Sequence, residues 1–363
     1  MTVDVPVTGP GPAPTAPGNQ DRYTVLDAPP RTVRDVLLRW EVILAILLVL
    51  TIVVNTIISP YFLDAYNLAD ASFNFSEKAI VALGMACLIL VREIDLSVAA
   101  IVALAAMGIG YAAEAGFGPL ALFAIGMGIG CACGIFNGLL VTVARLPSIV
   151  VTIGTMSLFR GLTQVILGDQ AKTKFPAAFV DLGQSYFIPM KETSVPWLFL
   201  PPVPLSFLIF SVLALLFGLV LHKTALGRQL FAIGSNPIAA RFSGVAVDVL
   251  RLSLFILSGA LSGLAAALLT ARLGSMRSNI AVGWELDIVT MVILGGVSIT
   301  GGVGSILGVF LAVLVLGLVT FGMALNNIPG QVVSVYIGAL LIAVIAVPRL
   351  AERLRGWRDR AKH

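Results

Sequence analysis

Three ionisable residues lie between two apolar stretches of this sequence. Arg92, Glu93 and Asp95 occupy "VREIDLS", which follows "AIVALGMACLIL" and precedes "IVALAAMGIGYAA". Such a cluster can line a polar cavity inside a membrane, where a costly charge is retained because it works. Alternatively, it forms a short turn at the membrane boundary, where Asp95 or Ser97 caps the next helix. We favour the turn, because the connection is short and Arg92 can neutralise one acid.

The first motif has an echo later in the chain. "EIDLS" at residues 93–97 resembles "ELDIV" at residues 285–289, and the second copy precedes the glycine-rich "GGVSITGGVGSILG". Internal repeats are a common build of transporters, with the solute pathway between the halves. The echo therefore predicts an internal two-fold repeat, and it adds Glu285 and Asp287 to the residues that could line a pathway.

Arg160 lies well inside an apolar stretch that starts at Ile149, so its guanidinium must face protein, water or headgroups rather than lipid. Neutral donors and acceptors nearby suit a weakly bound, hydroxyl-rich solute, although such groups also often bond their own helix backbone. The predicted pathway residues are Asp95, Ser97, Asn137, Thr152, Arg160, Glu285 and Asp287.

A long basic stretch, "HKTALGRQLFAIGSNPIAARFSGVAVDVLR", covers residues 222–251 between two apolar segments. Asn236 before Pro237 predicts the cap and first turn of a short helix, and Gly244 predicts its end. Two alanines on this helix are small enough to enter a groove on a partner, and an arginine could pair with a carboxylate there. An ordinary loop whose basic residues only fix topology is the alternative. The candidates for partner contact are Asn236, Ala239, Ala240, Arg241 and Gly244.

Catalytic chemistry has little support. Cys87, Cys131 and Cys133 all fall in apolar stretches, as small hydrophobic residues do, and their pattern is not that of a disulfide or zinc set. His222 and His363 have no nucleophile and acid nearby that would complete a hydrolase triad. No lysine follows a glycine, and no G-x-G-x-x-G is present, so nucleotide loops are excluded. We predict no catalytic residue, metal or cofactor in this chain; if its function uses ATP, another chain must bind the ATP.

The composition indicates the elements that position these residues. Hydrophobic residues make up 58% of the chain and charged residues 12%, and the mean hydropathy is +1.00. Because roughly 17 to 25 apolar residues cross a bilayer as a helix, we predict an all-α, polytopic membrane protein of about ten spans. The predicted spans are Leu37 to Ile58, Glu77 to Val91, Leu96 to Ala113, Pro119 to Ala144, Ile149 to Leu167, Leu205 to Leu221, Leu252 to Leu273, Leu286 to Ile299, Ser305 to Ala324 and Val332 to Val347.

Glycine spacing predicts close packing between these spans. Gly126, Gly130, Gly134 and Gly138 recur every four residues and leave one helix face bare. Gly259 with Gly263, and Gly304 with Gly308, repeat the pattern. A bare face lets another helix backbone approach closely.

The ends of the chain and its charges predict topology. Residues 1–36 are polar and proline-rich, which indicates a disordered tail rather than a cleaved signal peptide. Residues 37–347 form the predicted transmembrane domain, and residues 348–363 a basic tail that lies on lipid headgroups. Lys and Arg concentrate in the segments that are inside if the N-terminus is inside, so both termini are expected in the cytoplasm of a multi-pass inner-membrane protein. This topology explains the pI near 9.1 without nucleic acid.

Three motifs in order carry a family resemblance: "IDLSV", "GSNPIAARFSGV" and "ARLGSMRSNIAVGWELDIVTMVILGGVSITGG". From about Leu37 to Val347 the chain resembles the ribose, xylose, rhamnose and autoinducer-2 permeases of bacterial ATP-binding-cassette importers. Ala99, where many relatives have glycine, and "VRE" at residues 91–93, where many have small residues, depart from the pattern. These departures favour a rhamnose-type subfamily.

The resemblance implies the partners and the roles. A second permease, identical or a sister, completes the pathway, an ATP-binding cassette subunit supplies energy, and a periplasmic sugar-binding protein delivers the cargo. The loop that contains Asn236 and Arg241 matches the coupling segment that docks on the ATPase. The loop from Gly168 to Pro204 is long enough to receive the delivery protein or simply to cap the outer mouth. We predict monosaccharide import by alternating access. An ion-coupled secondary transporter is the alternative, but it would want an acid deep in the bilayer, whereas most acids here lie near span ends.

Overall fold

The computed structural model describes residues 39–188 and 202–360, with side chains described up to residue 346 except at residue 188. The predicted tail of residues 1–36 and the middle of the predicted docking loop lie outside the described residues. The helices are α1 (Trp40–Ile58), α2 (Ala65–Leu90), α3 (Val98–Glu114), α4 (Pro119–Thr142), α5 (Ser148–Leu167), α6 (Ala177–Gln184), α7 (Leu205–Lys223), α8 (Ala225–Ser235), α9 (Pro237–Phe242), α10 (Val247–Leu273), α11 (Trp284–Leu294), α12 (Ile306–Leu325) and α13 (Gly330–Arg360). Strands β1 (Tyr186–Ile188) and β2 (Val203–Pro204) pair antiparallel.

The predicted class, a polytopic helical membrane protein, is confirmed. Within the described residues, seven helices are long and apolar enough to cross a membrane: α1, α2, α4, α5, α7, α10 and α12. Of the three other predicted spans, two correspond to shorter apolar helices, α3 and the first part of α13, and the third corresponds to α11, which has 11 residues.

Some predicted boundaries differ from the observed ones. Helix α2 begins at Ala65 rather than Glu77, because Asp64 caps it by accepting a hydrogen bond from the Tyr66 amide and the helix extends through polar residues. Helix α11 has only 11 residues, because the chain turns after Leu294 at Gly296, whose φ is +85°. Hydropathy continues smoothly past such a turn and cannot reveal it.

Helices α2 and α10 form the centre of the bundle, and the glycine faces predicted from the sequence lie in contact there. A Cβ at Gly130 would lie 2.1 Å from the Gly259 carbonyl oxygen. A Cβ at Gly263 would lie 2.2 Å from the Gly126 carbonyl oxygen. No side chain fits at either position, so α4 and α10 touch backbone to backbone. The predicted close packing is confirmed.

The packing also agrees with the predicted repeat. Helix α10 packs on α3 and α4, and α2 packs in the same way on α11 and α12, while α5 packs on α3 and α13 on α11. Each copy of the acidic motif meets a cation from the central helix of the other half: Glu93 pairs with Arg251 of α10, and Asp287 pairs with Lys78 of α2. A repeat of α2 to α5 in α10 to α13 would give this arrangement, and the repeat stays a prediction.

Two ends of the bundle are distinguished by their loops. We name the end that carries α8 and α9 the α9 face; the turn at residues 91–97 lies here, because Arg92 contacts the end of α8. The other end, named the opposite face, holds the segments after α5 and α10, which are joined by a bridge between Lys172 and Met276.

Candidate functional site

Helix α9 forms as the sequence predicts. The Asn236 side chain accepts hydrogen bonds from the amides of Ile238 at 3.1 Å and Ala239 at 3.0 Å, which caps the first turn. Gly244, with φ +84°, ends the turn after Phe242 in the left-handed conformation that glycine adopts easily. The cap and the stop are both confirmed, and together they fix a single rigid turn and a half on the α9 face.

The exposed side of α9 is apolar. Ile238 is 69% exposed and Phe242 is 90% exposed, and their spacing of four residues puts them on one side of the helix. Ala240 is 5% exposed, so it seats α9 on the permease, whereas Ala239 is exposed. Ile238 and Phe242 were not among the residues predicted from the sequence. Their signal was an apolar pair four residues apart on a capped helix within an otherwise basic loop.

Arg241 already has a carboxylate partner in this chain. Its guanidinium lies 2.7 Å from Asp248 at the start of α10, and the two side chains are 55% and 48% exposed. An exposed pair of this kind contributes little to stability, roughly 0 to 1 kcal/mol. A partner's acid can therefore compete with Asp248 for Arg241 at small cost.

The residues of "VREIDLS" separate into different roles. The expectation that Arg92 neutralises one of the two acids was wrong. Its guanidinium bonds to backbone carbonyls of α8, and Glu93 instead lies 3.2 Å from Arg251 Nε, an ion pair without hydrogen-bond geometry. Glu93 pairs with Arg251 because the fold places this residue of α10, which is distant in sequence, beside it.

Asp95 holds the start of α3 in a buried network. Its Oδ1 accepts the Ser97 amide at 2.9 Å and the Ser97 hydroxyl at 2.6 Å, and Asn137 of α4 donates to that hydroxyl at 2.8 Å. Thr152 of α5 bonds the carbonyls of Ser148 and Ile94 beside it. Asp95, Ser97, Asn137 and Thr152 are all 0% exposed. The structure thus brings together four of the predicted pathway residues, as a junction of α3, α4 and α5.

Replacing Asp95 by asparagine tests which role this carboxylate has. Asparagine keeps an acceptor for the Ser97 amide, so we expect normal folding and uptake within about twofold of wild type. Asp95→Ala removes the acceptor and should lower stability by about 1–3 kcal/mol, measured as a melting shift in detergent. A correctly folded Asp95→Asn chain that loses uptake would instead assign the charge a role in transport.

Arg160 ties α5 to two other segments. Its guanidinium donates to the carbonyl of Ile280 at 2.7 Å, and to those of Ser278 and Ala99 at 3.3 Å. These bonds join α5 to α3 and to the loop before α11. Arg160 therefore faces protein, one of the surroundings that the sequence analysis allowed.

Asp287 lies apart from the buried network, on a cavity of about 370 Å³ near the opposite face. Lys78, Arg272 and Trp284 also line this cavity, and the Lys78 ammonium lies 5.4 Å from the centre of the Trp284 ring. Glu285 is partly exposed on the same first turn of α11. A volume of this size, with an aromatic face and ionised groups, suits a small hydroxyl-rich solute. Lys78 and Trp284 were not among the predicted site residues: Lys78 belongs to no motif, and Trp284 lies in the third motif but carries no charge that would single it out.

The segment before α6 is fastened across the opposite face. Lys172 exchanges backbone hydrogen bonds with Met276, and its ammonium lies 2.7 Å from Glu114 and 4.2 Å from the centre of the Tyr111 ring. The hydrogen bond that Lys172 donates to Glu114 raises the pKa of the lysine. This clasp gives part of the predicted docking loop a defined shape.

Comparison with known proteins decides the family. Residues 67–345 match the model described as branched-chain amino acid transport system / permease component, which covers all helices from α2 to the first part of α13. The chain belongs to this permease family. The family match includes α9 and the residues that line the opposite-face cavity.

Relatives within the family are import permeases. The chain is 34% identical over 328 residues to the autoinducer 2 import system permease protein LsrD of Escherichia coli (strain K12), covering 88% of this chain and 95% of the relative. The LsrD proteins of Shigella flexneri and Escherichia coli (strain SMS-3-5 / SECEC) match with the same identity and coverage. The predicted resemblance to sugar and autoinducer-2 permeases is confirmed. No solved structure matches the chain.

Proposed function

We propose that this chain is the membrane permease subunit of an ATP-binding-cassette importer that moves a monosaccharide inward by alternating access. ATP is hydrolysed on a separate cassette subunit, and this chain catalyses no reaction. A periplasmic sugar-binding protein delivers the cargo, and a second permease, identical or a sister, completes the transporter. The α9 face lies in the cytoplasm of a cell whose inner membrane holds the chain, with both termini on that side.

The observation that carries this proposal is the exposed apolar pair on α9. Ile238 and Phe242 project from a rigid, doubly capped turn, and Arg241 lies between them in sequence beside a weak internal partner. Apolar anchors with a neighbouring arginine are typical of the residues that dominate protein interfaces. The family membership supports a cassette as the occupant, because the relatives are permeases of import systems.

Replacing Phe242 by alanine should weaken the cassette's hold on the permease. A buried aromatic anchor contributes about 2 kcal/mol or more to an interface, so we expect affinity to fall about thirtyfold. Binding of purified cassette to the permease in nanodiscs gives the dissociation constant directly. Ile238→Ala should act in the same direction.

Val249→Ala provides the matched control. Val249 is also an apolar residue near the α9 face and is 65% exposed, but it belongs to α10. We expect it to bind the cassette as wild type does. Equal affinities for Phe242→Ala and Val249→Ala would remove α9 as the docking element.

The cargo that we propose is a monosaccharide of the rhamnose or ribose type. The autoinducer 2 named in the relatives is the competing cargo, which competition uptake assays distinguish. Among the pathway candidates, Asp287 lines the opposite-face cavity together with Trp284 and Lys78, and we propose that it contacts the sugar there. We propose that the buried network of Asp95 and the Arg160 bonds position α3 and α5 beside the pathway, and that Glu285, on the first turn of α11, also lines it.

An ion-coupled secondary transporter is the second candidate. The Lys78–Asp287 and Arg272–Glu77 pairs bring ionised groups into the bundle, as such transporters require. These acids are already neutralised by basic partners, which leaves them no free charge for a coupling ion. The family membership further favours the cassette importer.

A further inference from the structure

Three backbone segments meet next to α9. The Gly302 amide donates to the Leu90 carbonyl at 2.9 Å, which joins the loop before α12 to the end of α2. A Cβ at Gly234, in the last turn of α8, would lie 2.0 Å from the Leu90 oxygen and 2.3 Å from the Gly302 nitrogen. We name this contact of Leu90, Gly234, Gly301 and Gly302 the glycine junction. Because no side chain separates these backbone segments, we expect a shift of one to displace the others.

Arg92 crosses the glycine junction. Its Nε donates to the Gly234 carbonyl and its terminal nitrogen donates to the Ser235 carbonyl, both at 2.6 Å. These are two of the last carbonyls of α8, which lack partners within their own helix. A Cβ at Gly301 would lie 2.5 Å from Arg92 Cγ, so glycine makes room for the arginine side chain.

The bonded carbonyls lie next to the element that receives the cassette. Ser235 is the last residue of α8. Asn236 is both the C-cap of α8 and the N-cap of α9, so no linker separates the two helices. A displacement of α9 therefore moves the Ser235 carbonyl directly. Arg92, which is bonded to this carbonyl, belongs to the turn that carries Glu93 and Asp95, and this turn is followed by α3. Gly302, the other contact of Gly234, lies in the loop that joins α11 to α12.

A purely electrostatic role does not account for Arg92. Glu93 has its own cation in Arg251, and Asp95 is bonded within its turn. Arg92 also adopts φ +69°, a conformation that a non-glycine residue enters at some cost. Arg92 thus has a strained backbone conformation, and two of its guanidinium nitrogens donate to carbonyls of α8.

We propose that Arg92 is the positioning residue that transmits movement of α9 to α2 and α3, so that ATP hydrolysis is coupled to solute movement. This inference rests on the proposed function, because it takes α9 to be the element that the cassette displaces. In this proposal Arg92 acts through the Gly234 and Ser235 carbonyls and not by contact with nucleotide or cargo. Its loss should uncouple the two activities without preventing assembly.

Arg92→Gly is the test variant, because glycine suits the positive φ and only the guanidinium is removed. The permease is reconstituted with its cassette and delivery protein, and solute uptake is measured per ATP hydrolysed. We expect ATP hydrolysis to persist while uptake per ATP falls about tenfold or more. Arg92→Lys, which can donate to one carbonyl, should recover part of the ratio.

Arg145→Gly is the matched control. Arg145 is an exposed arginine with φ +55° in the turn between α4 and α5, and it makes no side-chain hydrogen bond to the residues that the structure describes. We expect its uptake per ATP to match wild type. An unchanged ratio in Arg92→Gly would overturn the proposal.

A second measurement separates this proposal from the proposed function. Hydrogen exchange on the purified permease alone reports whether Arg92 holds α9, and peptides covering residues 231–244 should exchange about tenfold faster in Arg92→Gly. Unchanged exchange there would overturn the role of Arg92 whatever the cassette does. A wild-type complex that imports nothing with ATP would instead refute the proposed function, and with it any role of Arg92 in transport.

Discussion

Gly130→Leu is expected to yield almost no folded permease. A Cβ at this position would lie 2.1 Å from the Gly259 carbonyl oxygen and 2.9 Å from the Gly263 amide nitrogen, both backbone atoms of α10. Overpacking a core costs about 1–3 kcal/mol when side chains can adjust, and here only separation of the two helices would relieve the overlap. Loss of the monodisperse peak in detergent chromatography would measure the effect.

Gly128→Leu is the control for this change. Gly128 lies on the same helix, is exposed, and has no atom within 4 Å of a Cβ built on it. Leucine favours helix over glycine by about 1 kcal/mol, so this variant should be at least as stable as wild type. If the two variants gave equal peaks and melting temperatures, the backbone contact between α4 and α10 would not be what holds the bundle.

Arg272→Met should cause the second large loss. Arg272 Nε lies 2.8 Å from Glu77 Oε1, and the Glu77 side chain is 0% exposed. Removing one partner of a buried pair leaves an uncompensated charge and costs about 3–5 kcal/mol. Thermal unfolding in detergent should show a clearly lower midpoint, and the double variant Arg272→Met with Glu77→Gln should recover most of it.

Arg241→Met supplies the comparison, for stability alone. Its pair with Asp248 has nearly the same length, 2.7 Å, but its side chains are about half exposed. Exposed pairs contribute about 0–1 kcal/mol, so the midpoint should hardly move. Similar losses for Arg272→Met and Arg241→Met would mean that burial does not set the cost of these ion pairs.

Local signals predicted local structure well. The Asn236 cap and the Gly244 stop depend on residues within a few positions of each other, and both were found where the sequence puts them. Such features follow from short-range hydrogen bonding, which a sequence displays directly.

Long-range partners could not be predicted. Nothing near Glu93 reveals that Arg251 of α10 pairs with it and releases Arg92 for α8. The glycine faces predicted a close contact but not that Gly130 would meet Gly259. The exposure of Ile238 and Phe242 depends on which side of α9 packs against the rest of the chain. Each of these outcomes depends on tertiary packing, which periodicity alone does not determine.

The central claim is that this chain moves solute only when a cassette drives α9. The decisive measurement is solute accumulation in sealed vesicles that hold the purified permease, with or without the cassette subunit, delivery protein and ATP. We predict accumulation with all components present, unaffected by an ionophore that collapses ion gradients, and none with the permease alone. Accumulation by the permease alone, abolished by the ionophore, would contradict the account and identify an ion-coupled transporter.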